Sequence, residues 1–121
     1  MRYDEETCRA IAENIENAEY YGLEEVLLQM QEEAAELIQA ISKYHRAAGH
    51  GVPVKMTVDE ARQSIIEELV DVAVMTEQLR YFLDFRKNEP GFREIYRQKI
   101  RRTTERRQHA DGGQHPEDRE R

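Results

Sequence analysis

Two short acidic strings in this 121-residue sequence have the residue types and the spacing to do chemistry together. Glu32-Glu33-Ala34-Ala35-Glu36-Leu37 and Glu67-Glu68-Leu69-Val70-Asp71-Val72 are related at an offset of 35 residues, the first reading EExxE and the second EExxD. Helical periodicity is about 100° per residue. With Met30 and Ile65 as origins, Glu33 and Glu68 fall near ~300° and Glu36 and Asp71 near ~240°, beside apolar stripes at about 340° to 80°. Both pairs therefore sit on the same flank of their helices. Glu32 and Glu67, near ~200°, face outward or support the inner pairs from behind.

Height can be counted too. Twelve residues separate Glu36 from Ala48, and eleven separate Thr57 from Glu68. At about 1.5 Å per residue both motifs lie ~17–18 Å from the connecting loop. Antiparallel packing of the two helices, with axes about 8–10 Å apart, brings four carboxylates to one level. Such a set cannot stay fully ionised without compensation, which means raised pKa values, basic partners or a bound cation. An all-oxygen donor set suits a hard ion, Mg²⁺ or Mn²⁺. No histidine follows these glutamates at Glu-x-x-His spacing, so a redox di-iron centre is not expected. The plainer alternative is a pair of solvated acidic faces or dimer contacts. Two copies in phase and at equal height favour the cation site.

The elements that must hold these groups are helical. Charged residues make up 36% and apolar residues 39%, with three prolines, six glycines and no tryptophan, a composition that predicts an all-α chain. Four helices are expected, at about 4–21, 23–48, 57–87 and 92–107. Gly22 stops the first, and Gly49-His50-Gly51-Val52-Pro53 separates the second from the third. The second has one stripe, running Leu23, Val26, Leu27, Met30, Ala34, Leu37, Ile38, Ile41, Tyr44. The third opens on a capping box, Thr57-Val58-Asp59-Glu60, and continues through Ala61, Ile65, Leu69, Val72, Thr76, Leu79 and Leu83. Asn88-Glu89-Pro90-Gly91 is expected to end it. Residues 1–107 then form one domain, and 108–121 a charged tail with nothing to bury, expected to be disordered.

Composition also narrows the function. Cys8 is the single cysteine, which excludes an internal disulfide framework and a Cys-rich zinc or iron–sulfur site. No apolar run approaches the ~20 residues of a membrane span, and the acidic N-terminus is unlike a signal peptide, so a cytoplasmic chain without a membrane partner is expected. The net charge of −7 argues against nucleic acid as the main partner. That charge is unevenly placed. Residues 1–91 hold 19 acidic and 9 basic side chains, whereas 92–107 hold 7 basic and 2 acidic. An acidic body carries a basic last helix, a division suited to a cation together with an anionic substrate.

Basic candidates for meeting phosphate follow from position. Lys43 lies two turns beyond Glu36 on nearly the same azimuth, and Lys99, Arg102 and Arg106 share one face of the last helix. Arg101, Arg106 and Arg107 are expected to face solvent. His45, His50, His109 and His115 occupy a helix end, a loop and the tail, where ligation is not expected. Cys8 has no neighbour that would make it a nucleophile. Tyr20, Tyr21, Tyr44 and Tyr81 could stack on a base, although core or interface roles suit them better.

The EExxE at 32–36 followed by ExxD at 68–71, within Glu36-Leu37-Ile38-Gln39-Ala40-Ile41-Ser42-Lys43 and Glu68-Leu69-Val70-Asp71-Val72-Ala73-Val74-Met75, resembles the MazG-like all-α nucleoside triphosphate pyrophosphohydrolases over roughly residues 20–107. The resemblance implies a Mg²⁺-dependent enzyme that cuts nucleoside triphosphates, particular or aberrant ones, to monophosphate and pyrophosphate. It implies Glu33, Glu36, Glu68 and Asp71 as metal ligands and Glu33, with Glu32 nearby, in activating the attacking water. Lys99-x-x-Arg102 resembles the family's basic C-terminal motif, which contacts phosphates. The implied fold is a helical bundle completed by oligomerisation, a dimer or a dimer of dimers. Many relatives carry a glutamine about two turns before EExxE, where this chain has Glu25-Val26.

Two rivals stand beside this reading. Phosphoribosyl-ATP pyrophosphohydrolases share the helical fold but tend to place a histidine after the second motif, where this chain reads Val72-Ala73-Val74-Met75-Thr76. A non-catalytic helical interaction module would tolerate loss of the carboxylates. Oligomerisation has separate grounds. A chain this short buries a modest core, and Val58, Ala73, Val74, Tyr81, Phe82 and Phe85 surround the third helix more widely than one hairpin partner covers. A homodimer or homotetramer is the expected state.

Overall fold

The computed structural model describes residues 2–83 and 89–111, and among these the chain is all-α. Helix α1 spans Glu5–Tyr21, α2 Leu23–Ala47, α3 Val58–Phe82 and α4 Glu89–Asp111. The chain divides after Leu83 into two compact units, one holding α1–α3 and the other α4.

Local chemistry sets the first three helices. Asp4 caps α1 by accepting from the Thr7 amide at 2.7 Å. Gly22 joins α1 to α2 at φ 87°, a conformation that side chains disfavour and glycine takes readily. Its amide donates to the Ala18 carbonyl at 2.9 Å, while its own carbonyl accepts from Val26 at 3.1 Å. One residue thus closes one helix and opens the next. At α3 the expected capping box is present: the Glu60 amide donates to Thr57 Oγ1 at 3.1 Å, and the Thr57 amide donates to Glu60 Oε1 at 3.3 Å.

Helices α2 and α3 pack along most of their lengths and α1 lies against both. Ala18, Val26, Ala40, Ala61 and Met75 form the buried core. Small side chains at three of these five positions let the helix backbones approach closely. A polar lashing ties α1 to α3: Asn14 Nδ2 donates to the Val74 carbonyl at 3.1 Å and to Glu77 Oε1 at 3.0 Å, and Gln78 Nε2 donates to Asn14 Oδ1 at 2.7 Å. Further along, the Tyr81 hydroxyl donates to Glu19 Oε1 at 2.8 Å.

More than half of the expected inward positions on each long helix are inward, and the faces are shifted by less than one residue toward the carboxylate-bearing flanks. On α3 the inward positions are Ala61, Ser64, Ile65, Glu68, Val72, Met75, Glu77, Gln78, Leu79 and Phe82, leaving Leu69, Thr76 and Leu83 exposed. On α2 they are Val26, Met30, Glu33, Ala34, Leu37, Ala40, Tyr44, Arg46 and Ala47, leaving Leu23, Leu27, Ile38 and Ile41 exposed. The apolar stripes are wider than the α2–α3 contact, and the contact lies toward their carboxylate-bearing flanks.

Taken by itself, α4 departs from expectation at both ends. Glu89, Pro90 and Gly91, read in sequence as a stop, form its first turn, where proline lacks an amide that no intrahelical bond would use. It continues to Asp111, four residues past the boundary expected for the tail. The helix buries none of its residues, and Phe92, Ile95, Tyr96 and Ile100 are exposed. The expected extension of α3 to Lys87 and the tail from 112 onward lie outside the described residues.

Candidate metal centre

The two acidic strings meet where α2 passes α3. Glu33 and Glu36 from α2 and Glu68 and Asp71 from α3 each bring a carboxylate oxygen to within 4.8 Å of all the others. Glu33 and Glu68 are half-buried, whereas Glu36 and Asp71 are exposed. This order follows from azimuth, since the residues near ~300° lie closer to the helix contact than those near ~240°. Glu32 and Glu67 are exposed, on the outer side of the pair.

The inner carboxylates are under-satisfied. Glu33 Oε2 and Glu68 Oε2 are both shut off from solvent without a hydrogen-bond partner. A buried acceptor with nothing to accept is costly, and two of them facing a cluster of like charge is worse. Burial first, then the charges of Glu36 and Asp71, a hydrogen bond with Glu36 and the charge of Glu33 hold the Glu68 carboxyl above its ordinary value of 4.5. A divalent cation would satisfy the orphaned oxygens and offset the repulsion together, and the donor set is the hard oxygen kind that Mg²⁺ or Mn²⁺ takes. The residues present fit such an ion.

A pH dependence follows with a definite sign. A carboxyl whose folded pKa is raised favours the folded state below its unfolded pKa, and that contribution disappears as pH rises through the folded value. In chelator, the metal-free protein is expected to lose melting temperature relative to Glu68→Gln as pH climbs from 4.5 through the raised pKa of Glu68. Thermal melts of both proteins across that range check it. A gap that stays constant with pH would show that Glu68 ionisation does not strain the fold.

Around the cluster the structure adds groups that sequence spacing passed over. Gln29 Nε2 donates to Glu33 Oε1 at 2.7 Å and so fixes that carboxylate's orientation. Its position four residues before Glu33, on the same helical face, is the signal that could have found it. On the other side, a cavity of about 260 Å³ is lined by Glu36, Gln39, Lys43, Ser64 and Glu68, among others. Lys43 therefore shares a cavity with two of the carboxylates, as its azimuth suggested, and Ser64 joins it from α3. Lys99 and Arg102 are exposed on α4, in the other unit.

Among the described residues no helix is long and apolar enough to cross a membrane. Compared with known proteins, the chain matches no family model, no curated protein and no solved structure.

Proposed function

We propose that the protein is a divalent-metal-dependent nucleoside triphosphate pyrophosphohydrolase of the MazG-like kind. It adds water across the α–β phosphoanhydride and releases nucleoside monophosphate and pyrophosphate. The observation that carries this reading is the convergence of Glu33, Glu36, Glu68 and Asp71 with two orphaned buried oxygens among them. Carboxylates without a counter-ion would repel a triphosphate, so the cluster makes sense as a cation holder for a polyanionic substrate.

In this account those four carboxylates hold Mg²⁺. When bound, the ion neutralises phosphate charge and lowers the pKa of coordinated water. Glu33, oriented by Gln29, accepts a proton from the attacking water, and Glu32 adds negative charge on the outer side of the same turn. Lys43, beside Glu36 and Glu68, meets the departing phosphates with Ser64 as a hydroxyl donor.

The test is a panel of nucleoside triphosphates incubated with the full chain and Mg²⁺ and assayed for pyrophosphate. Turnover of at least one member that stops on chelation is expected. No turnover of any member counts against the reading.

The working state in this account is a homodimer or homotetramer in the cytoplasm. Leu27, Leu28, Ile38, Ile66, Leu69 and Val70 are all exposed on the two central helices, more apolar surface than isolated surface residues explain. Light scattering is expected to give at least twice the 14.3 kDa chain mass. A mass of one chain would remove the oligomer from the account.

A further inference from the structure

The α1–α3 unit carries an open groove that the carboxylate site does not use. It encloses about 390 Å³ between α1 and α3, and its lining is mostly apolar, with Ala10 and Ile11 from α1 and Val70, Ala73 and Val74 from α3. Val70 is 57% exposed and Val74 40%, a large share for aliphatic side chains set next to one another on one helix. Two carboxylates join this lining, Glu13 from α1 and Glu77 from α3. From Val70 to Glu77 the α3 wall runs about 10.5 Å at about 1.5 Å per residue. An apolar trough of that length with acidic groups along it suits a helix that has an apolar stripe and basic flanks.

Taken by itself, α4 presents such a surface. With Phe92 as origin at about 100° per residue, Ile95, Tyr96 and Ile100 fall near ~300°, ~40° and ~80°, one continuous arc. Ile95 is 53% exposed, Tyr96 58% and Ile100 52%. Arg97, near ~140°, and Arg102, near ~280°, stand on either side of the arc, and Lys99 lies within it on a stem long enough to carry its charge outward. From Phe92 to Ile100 the stripe is about 12 Å long, close to the length of the groove wall. Charge divides the same way. Residues 1–83 hold 17 acidic and 7 basic side chains, whereas residues 92–107 hold 7 basic and 2 acidic.

We propose that α4 of a second copy of this chain docks in the α1–α3 groove, with Ile95, Tyr96 and Ile100 on the apolar lining and the basic flanks against Glu13 and Glu77. Charge complementarity selects this occupant, since a basic helix of one copy and an acidic groove of another attract and two grooves repel. A chain that carries both surfaces is self-complementary, so two copies dock reciprocally and close as a twofold dimer. One helix in one groove is a small contact, and the reciprocal pair doubles it toward the about 1,200–2,000 Å² of a stable interface. No step of the proposed hydrolysis depends on this contact.

The experiment places a nitroxide spin label on Cys8, the single cysteine, which is exposed on α1 next to the groove residue Thr7. The labelled full chain carries no nitrogen-15 and is mixed with nitrogen-15-labelled Cys8→Ser chain, so any paramagnetic broadening passes between copies. The α4 amides of the nitrogen-15 copy are expected to lose intensity. Ala73→Arg in the spin-labelled copy, at an exposed groove position, is expected to abolish that loss by filling the groove and repelling the basic helix. Ile100→Asp in the nitrogen-15 copy is expected to abolish it as well, without altering the α1–α3 unit. Broadening of α4 only when label and isotope share one chain would assign the groove to the chain's own helix and overturn the proposal. Absence of α4 broadening in every sample, or broadening that survives both variants, overturns it too.

Discussion

Glu68→Gln and Asp71→Asn are each expected to lower Mg²⁺-dependent turnover by about a hundred- to a thousandfold, while the metal-free protein melts at a higher temperature than wild type. The two effects have one cause. Each variant removes a negative oxygen from a cluster whose members lie within 4.8 Å of one another. Without metal this relieves repulsion, most of all at Glu68, whose Oε2 is buried without a partner. In the proposed reaction it would also remove one of four metal ligands, and losses of about 10²–10³ accompany removal of even a single stabilising donor. Most substitutions at half-buried positions destabilise a fold. A rise in melting temperature together with loss of activity therefore separates a functional cluster from a structural one. Unchanged turnover in both variants would exclude the cluster from catalysis.

Val26→Asp is expected to unfold the α1–α3 unit. Val26 is 1% exposed and, among the described residues, is the largest side chain that is completely buried. A carboxylate there has no cation beside it in the core, and an uncompensated buried charge costs about 3–5 kcal/mol or more. That is a large share of the ~5–15 kcal/mol that holds a typical domain, and this core is made mostly of small side chains. Far-UV circular dichroism should show loss of helix at room temperature. Val52→Asp, at 73% exposure in the α2–α3 connection, is the matched control and is expected to change stability by about 0.5 kcal/mol or less. A folded Val26→Asp protein would mean that the three helices are not held together by this core.

The carboxylate cluster was legible in the sequence because two countable quantities determine it. Azimuth puts Glu33 and Glu68 on equivalent flanks, and the number of residues to the loop puts both at one height. The Thr57 capping box fixed where one of those counts begins. The inward faces were less legible. Leu69 and Ile38 belong to apolar stripes, yet they are exposed in the single chain, because periodicity records every apolar position and cannot say which part of a wide stripe meets a given neighbour. Pro90 was misread for a related reason: as a local signal it marks either the end of one helix or the first turn of the next. Gln29 carried a usable clue in its spacing from Glu33. Gln78 did not, since a glutamine in a helix gains its buried role only from Asn14 on another helix. For Lys99 and Arg102, sequence supplied a shared face on a basic helix, and the structure adds that this helix is a unit of its own.

In the proposed reaction, water is added between the α and β phosphates under the control of a carboxylate-held metal. Phosphorus-31 NMR of the full chain with the best-accepted triphosphate and Mg²⁺ tests it directly, because each possible cleavage leaves different resonances. Nucleoside monophosphate and pyrophosphate in equal amounts, absent in chelator and absent with Glu68→Gln, is the predicted result. Nucleoside diphosphate with orthophosphate, or an unchanged triphosphate spectrum, would contradict it.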